Sequence, residues 1–153
     1  MNKWGGLTRG VATLDARYRQ AALTYALYGV LYWLGGLALA GAGRGPRGLP
    51  RSGLAWFVVG ALFVVVIPWL LVRERAWFDR WVLARRDFAR LLTLLVALRA
   101  IEVARIAWAA RPPGSETLPV LGLAVPLSLG AGAFCLVTVV TTVTIARAAW
   151  SRA

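Results

Sequence analysis

Histidine is absent from this chain of 153 residues, and cysteine occurs once, as Cys135. Histidine is the usual axial ligand of haem and a common ligand of zinc and copper. A lone cysteine cannot form a disulfide within the chain. We therefore expect no metal site, no ligated redox cofactor and no dithiol chemistry. A bound lipid, quinone or carotenoid needs apolar grooves more than ligating atoms, so these ligands stay open.

Acidic residues are also scarce, with six Asp and Glu against 18 Lys and Arg, which gives a formal net charge of +12. The basic residues lie at the ends of long apolar runs and not on a separate polar domain, a pattern typical of membrane anchoring and not of nucleic-acid binding. Glu102 is the single acid inside these runs. No nucleophile and base can be paired without histidine, so we do not expect an enzyme. From the distribution of the basic residues, we expect no nucleic-acid partner.

Apolar residues are abundant, at 59% of the chain with a mean hydropathy of +0.66. They form long runs at Ala21–Gly41, Leu54–Val72, Leu91–Ala110 and Val120–Ala146. At about 1.5 Å per helical residue, each run reaches across a hydrocarbon layer of roughly 30 Å. The sequence predicts a single domain over residues 1–153, an all-α integral membrane fold with four transmembrane helices.

Basic residues are unevenly distributed between the connections. They are dense before the first run, between the second and third runs and after the fourth, whereas the other connections hold only Arg44, Arg47, Arg51 and Arg111. Lys and Arg accumulate on the cytoplasmic side of membrane proteins. We therefore predict that both termini are cytoplasmic and that the chain is a multi-pass protein of a bacterial cytoplasmic (inner) membrane.

Two cytoplasmic segments have amphipathic spacing. In the connection between the second and third helices, Trp77, Trp81 and Phe88 share one helical face, and Arg85 lies beside them. This pattern fits an interfacial anchor on anionic lipid, or a docking surface for a partner. Before the first run, an apolar repeat predicts a short surface helix or, alternatively, a frayed basic tail; it consists of Leu7, Val11, Leu14 and Tyr18.

Small residues recur along the predicted fourth helix. Gly122, Pro126 and Gly130 follow one another at intervals of four, which predicts a low face for close helix packing. Pro126 has no N–H for the carbonyl of Gly122, so an alternative is that this carbonyl lines a cavity for a polar ligand.

The charged triplet Arg99, Glu102 and Arg105 interrupts the third run. An ionisable group at the centre of a membrane helix costs roughly 2.5 to 3.5 kcal/mol on insertion scales, so it needs a partner. Spacing of three residues predicts that the carboxylate of Glu102 bridges both guanidiniums on one face. The natural second partners are hydroxyls on the other helices, namely Tyr25, Tyr28, Tyr32, Thr138, Thr141, Thr142 and Thr144.

Two functions fit this charged face. In the first, the chain is a non-catalytic accessory or assembly subunit of a larger bacterial membrane complex, such as a respiratory, photosynthetic or transport assembly. In the second, it is a small oligomeric transporter or channel, and the triplet contacts an anionic or proton-coupled substrate. Both predict the same partners: membrane lipids, and either other integral membrane subunits or further copies of this chain.

Overall fold

Four long helices make up most of the computed structural model, which describes residues 4–41, 53–73, 83–109, 117–120 and 123–151. Helix α1 spans Trp4–Gly41. Helix α2 consists of an α-helical part, Gly53–Ala61, a π-helical turn, Leu62–Val66, and a second α-helical part, Ile67–Val72. Helix α3 spans Arg85–Ala109, and helix α4 spans Leu127–Trp150. The predicted helical organisation is confirmed within these ranges.

Helix α1 begins earlier than the predicted first span. It is continuous from Trp4, so the interpretation of the N-terminal segment as a frayed tail is wrong for residues 4–20. Tyr18 is buried against the other helices. Helix α3 likewise begins at Arg85, so the last part of the predicted connection belongs to this helix. Trp77 and Trp81 lie outside the described residues.

The start of the fourth helix was predicted wrongly. Residues 117–126 form an antiparallel hairpin of two strands, β1 (Thr117–Val120) and β2 (Leu123–Pro126), in which Thr117 pairs with Pro126. Pro126 adopts an extended conformation, with ψ of 131°, and precedes the first turn of α4. Proline lacks an N–H and disfavours a helical conformation in the residue before it, which favours the start of the helix after Pro126.

Because α4 begins at Leu127, the predicted stripe of small residues does not lie on a single helix. Gly122 lies outside the described residues, Pro126 belongs to β2, and only Gly130 lies in α4. Among the described residues, no atom lies within 4 Å of a Cβ added to Gly130, so this glycine is not a point of close packing between the described helices.

The bundle is packed most tightly at the end that we call the basal end, formed by residues 15–25 of α1, Leu71 of α2, residues 85–92 of α3 and residues 141–151 of α4. Most of the buried side chains cluster at this end, with Ala21, Leu71, Ala89, Ile145 and Ala149 at 0% exposure. Helix α4 packs along both α3 and α1, and α1 packs along α2. We call the opposite part, which includes Tyr32, Trp56, Arg99 and Phe134, the distal half.

The π-helical turn of α2 faces Gly29 of α1. The N–H of Ile67 bonds to the carbonyl of Leu62, five residues back, and Pro68 then has no N–H for the carbonyl of Phe63. A Cβ added to Gly29 would lie 2.7 Å from that carbonyl oxygen. Glycine at this position therefore allows the two helix backbones to approach closely.

Large apolar side chains cover much of the outer surface. Leu23, Phe57, Leu98, Leu129 and Leu136 are each more than 60% exposed. Two helices, Ala55–Val72 and Leu127–Trp150, are long and apolar enough to cross a membrane. The prediction of four spans and of cytoplasmic termini remains a prediction.

Candidate functional site

The charged triplet lies on α3, and its members have different environments. Arg99 donates a hydrogen bond to the carboxylate of Glu102, one turn further along the helix. The side chain of Arg99 is 31% exposed and that of Glu102 is 59% exposed. The pair therefore lies at the edge of the bundle and not in its core.

Arg105 does not complete the predicted bridge. Its side chain is exposed, and no carboxylate in the described part of the chain forms an ion pair with it. At 100° per residue, Arg99 and Arg105 lie about 120° apart, on opposite sides of Glu102. A carboxylate turned towards Arg99 is therefore turned away from Arg105. The expectation of one acid shared by two guanidiniums is wrong for this structure.

The second partner of Arg99 is an aromatic ring. Its guanidinium carbon lies 5.3 Å from the centroid of the Tyr32 ring on α1, within the range of a cation–π interaction. The Nε atom of Arg99 is buried and has no hydrogen-bond partner among the described residues. Of the hydroxyl-bearing residues expected around the charges, the structure thus brings Tyr32 to Arg99, through its ring.

The threonine hydroxyls of α4 form hydrogen bonds with groups other than the charged residues of α3. Thr138 donates to the carbonyl of Phe134 at 2.6 Å, and Thr142 donates to that of Thr138 at 2.8 Å. Thr144 shares a 2.7 Å hydrogen bond with the hydroxyl of Thr24 on α1. Thr141 donates to the carbonyl of Thr24 at 3.3 Å, so these hydroxyls connect α4 to itself and to α1. The interpretation of them as partners for the charges on α3 is wrong.

Behind Tyr32 lies a cluster of stacked rings from three helices. Tyr32 stacks on Phe63 of α2 with centroids 5.2 Å apart, and Tyr28 stacks on Phe134 of α4 at 5.4 Å. Tyr25 extends the cluster towards the basal end, 5.4 Å from Tyr28. The guanidinium of Arg99 therefore lies beside a cluster of stacked rings from α1, α2 and α4. Sequence reasoning missed Phe63 and Phe134, since neither differs in pattern from its apolar neighbours.

Arg85 joins three helices at the basal end. Its Nε donates to the carbonyl of Leu71 in α2 at 2.9 Å, and its guanidinium pairs with Asp15 of α1 at 3.3 Å. The same guanidinium lies 3.8 Å from the centroid of the Tyr18 ring. The side chain is only 16% exposed. Arg85 was expected in an interfacial anchor or docking loop, and the structure uses it inside the bundle instead, because its planar guanidinium can bond in several directions at once.

Phe88 and Arg86 are also directed at the chain itself. Phe88 packs against the basal core. Arg86 donates from Nε to the carbonyl of Ala149 at 3.0 Å and from its terminal nitrogen to that of Ser151 at 3.4 Å. A guanidinium at the end of a helix satisfies carbonyls that have no partner within the helix. The described members of the predicted docking segment therefore stabilise the basal end.

No family model, curated protein or solved structure matches this chain.

The surface around Glu102 and Arg105 is apolar and faces outward. Leu95, Leu98 and Ile101 are 56%, 64% and 60% exposed. The buried side of α3, which includes Leu92, Val96 and Val103, is directed at α4 and the core. Glu102 and Arg105 are thus charged groups in the middle of an exposed apolar face, and this face is the candidate functional site.

Cys135 lies at the seam between α4 and α3. Its Sγ is 3.9 Å from the carbonyl oxygen of Ala100, and the residue is half-buried. A thiol in such a position behaves as a small apolar side chain with a weak S–H donor.

Proposed function

We propose that this protein is a non-catalytic integral membrane subunit that helps to assemble a larger complex in a bacterial cytoplasmic membrane. In this proposal all four helices span the bilayer, both termini are cytoplasmic, and the basal end is the cytoplasmic end. The exposed face of α3 is the surface at which another membrane helix docks.

A single observation carries the proposal: the ion pair of Arg99 and Glu102 is only partly covered by its own chain. The Glu102 side chain is 59% exposed, beside Leu98 at 64% and Ile101 at 60%. A half-exposed carboxylate surrounded by leucine and isoleucine would contact lipid in the isolated protein, at a cost of a few kcal/mol. A neighbouring helix that covers the face and supplies polar contacts would remove much of this cost.

The arrangement of the basal end supports an assembly role as well. Arg85 and Arg86 hold the helices of one chain together, and the Nε atoms of Arg90 and Arg99 are buried without a hydrogen-bond partner among the described residues; of these two arginines, Arg99 lies in the middle of α3, beside the exposed carboxylate of Glu102. The excess of basic residues around this end favours a cytoplasmic position and contact with anionic headgroups.

Transport by a single copy is less well supported. The aromatic cluster fills the space between α1, α2 and α4 next to Arg99, and Glu102 points to the outer surface. A substrate pathway would therefore have to lie between subunits. A measured flux of anions or protons would favour transport.

The test compares Glu102→Gln with the parent and with Asp87→Asn, which removes an exposed carboxylate from the same helix near its N-terminus. Each protein is purified from its native membrane in mild detergent, and its native mass and flux of anions and protons in liposomes are measured. We expect the parent to be part of a larger assembly that Glu102→Gln weakens, because the partner helix buries the pair in the assembly and loss of one partner from a buried pair typically costs about 3 to 5 kcal/mol. Asp87→Asn should leave the mass unchanged.

Two results would contradict the proposal. One is a parent that is monomeric and unaccompanied. The other is a parent that conducts anions or protons and loses the flux, with its native mass unchanged, on Glu102→Gln.

A further inference from the structure

A second group of arginines lies at the basal end, where the first turns of α3 meet the end of α4. The guanidinium carbon of Arg90 on α3 lies 5.9 Å from the centroid of the Trp150 ring on α4, within the range of a cation–π interaction. Arg147 precedes Trp150 by one helical turn and is exposed. Residues three apart are neighbours on the surface of a helix, so Arg147 also lies beside this tryptophan. We call Arg90, Arg147 and Trp150 the seam cluster.

Both arginines of the seam cluster have N–H groups that the described part of the chain does not use. Arg90 donates from one terminal nitrogen, Nη1, to the carboxylate of Asp87 at 3.0 Å. Its other terminal nitrogen, Nη2, bonds to no described residue, and the side chain is 41% exposed. Arg147 forms no hydrogen bond or ion pair with a described residue. Both guanidiniums can therefore donate to a ligand from outside the chain.

The charge at this surface favours an anion. Free carbonyls at the end of a helix carry partial negative charge and would repel one. Arg86 donates to two carbonyls at the end of α4, those of Ala149 and Ser151. Asp87, the acid in the first turn of α3, cancels one positive charge. Arg86 and the seam cluster together therefore keep an excess of two positive charges.

Exposed tryptophans mark the level of the seam cluster in the membrane. Trp69 and Trp150 lie in the last turns of α2 and α4, at the basal end, and are 47% and 51% exposed. The guanidinium carbon of Arg73 lies 3.9 Å from the centroid of the Trp69 ring, so each tryptophan has an arginine beside it. Tryptophan collects at membrane–water interfaces, because its ring is apolar and its N–H is polar. Its position indicates that the basal end lies at the depth of the lipid headgroups.

Apolar side chains continue from the seam cluster towards the distal half. Leu94 follows Arg90 by one turn of α3, and Val143 precedes Arg147 by one turn of α4. These two apolar residues are 60% and 43% exposed. Because α3 and α4 pack along each other, the surface changes from basic to apolar along one seam. A phospholipid has the same order of groups, with a phosphate at the interface and acyl chains below it.

We propose that the seam cluster binds the phosphate group of an anionic phospholipid in the cytoplasmic leaflet. Arg90 and Arg147 donate to the phosphate oxygens, and the indole of Trp150 lies beside the headgroup. One acyl chain lies along Leu94 and Val143. The inference rests on the proposed function, in which the basal end is the cytoplasmic end of a membrane-spanning bundle, and identifies the residues that hold a lipid there.

Native mass spectrometry of the protein in mild detergent tests the choice of ligand. Three titrations are compared: phosphatidylglycerol, phosphatidylcholine, and phosphatidylglycerol with an excess of inorganic phosphate. We expect phosphatidylglycerol to bind at least about tenfold more tightly than phosphatidylcholine, which has the same phosphate and chains but no net charge. Inorganic phosphate should not displace the lipid, because it has no acyl chains to bury against the seam.

Substitutions test the residues. Arg147→Gln alone should weaken binding of phosphatidylglycerol by at least about fivefold, and the double variant Arg90→Gln with Arg147→Gln by at least about twentyfold, as loss of charged hydrogen bonds implies. The matched control is Arg17→Gln with Arg19→Gln, which removes the same charge from exposed positions near the basal end of α1. It should change binding by less than about twofold, since salt screens charges that do not touch the lipid. Arg147→Gln keeps the test valid if the double variant fails to fold.

The outcomes separate this inference from the proposed function. Equal weakening by the seam variants and the α1 control overturns the seam cluster as the site. Equal binding of the two lipids overturns selection of an anionic lipid, and displacement by inorganic phosphate assigns the site to free phosphate and overturns the lipid. A parent that is monomeric and unaccompanied, yet binds phosphatidylglycerol with the expected losses in the variants, overturns the assembly role and leaves this inference intact.

Discussion

Arginine has two different environments at the two parts of this bundle. At the basal end, Arg85 is 16% exposed and finds a carbonyl, a carboxylate and an aromatic ring on the two helices beside it. In the distal half, Arg99 is 31% exposed and finds one ring and a carboxylate that is itself 59% exposed. The first arrangement closes the chain on itself. The second leaves a polar group for something outside the chain to satisfy.

The comparison predicts that stability depends on the basal arginine and assembly on the distal pair. We expect Arg85→Ala to lower the free energy of unfolding by about 3 kcal/mol, since it removes bonds to a charged group and a cation–π contact. Thermal unfolding in detergent measures the effect. Arg85→Lys should have an intermediate effect, because a lysine keeps the charge but not the planar fork. If Arg85→Ala unfolds like the parent, the basal network does not hold the bundle.

The next largest loss of stability should come from disrupting the contact between α1 and α2 at Gly29. A Cβ at position 29 would lie 2.7 Å from the Phe63 carbonyl oxygen, and a backbone carbonyl cannot rotate away. We expect Gly29→Ala to cost about 1 to 3 kcal/mol by forcing the helices apart.

Gly35→Ala is the matched control on the same helix, because a Cβ there would meet nothing within 4 Å. This variant should be neutral or stabilising by up to about 1 kcal/mol, since alanine favours a helix over glycine. Equal loss of stability in both variants, measured by the same thermal unfolding, would show that the close approach to Phe63 is not the cause.

The smallest expected effect on stability is that of Glu102→Gln. Glu102 forms one ion pair and its side chain is 59% exposed, whereas Arg85 bonds to both α1 and α2, so Glu102 contributes less than Arg85 to the stability of the single chain. The variant should therefore unfold almost like the parent when both are dissociated to monomers, although its assembly is weakened. A loss comparable with that of Arg85→Ala would mean that the distal pair, too, is a support of the single chain.

Long apolar runs made the helices predictable from sequence, because an uninterrupted run of that length has few other structures available to it. The hairpin was missed since Val120 and Leu123 are as apolar as the helix that follows, and the effect of Pro119 and Pro126 was outweighed by that run. The local sequence shows where a proline lies. It does not show whether the residues before the proline or those after it are extended.

The charged triplet could be found from sequence, whereas its contacts could not. Arg99, Glu102 and Arg105 are unusual in an apolar run, and that alone marks them. The second contact of Arg99 is the ring of Tyr32 on another helix, which the local sequence around Arg99 does not identify. In the same way, the role of Arg85 depends on Leu71 and Asp15, which are distant in sequence and adjacent only after folding.

The π-helical turn of α2, Leu62–Val66, changes the direction in which the side chains beyond it point. One additional residue in a turn rotates everything beyond it by about 100° relative to an unbroken α-helix. With this offset, the carbonyl of Trp56 accepts a hydrogen bond from Trp33 of α1 at 3.0 Å, while Leu71, at the other end of α2, is fully buried. The turn thus rotates one end of α2 relative to the other, so that both ends face α1. Deleting one residue from Leu62–Val66 would leave α2 continuous but would turn one of its ends away from α1.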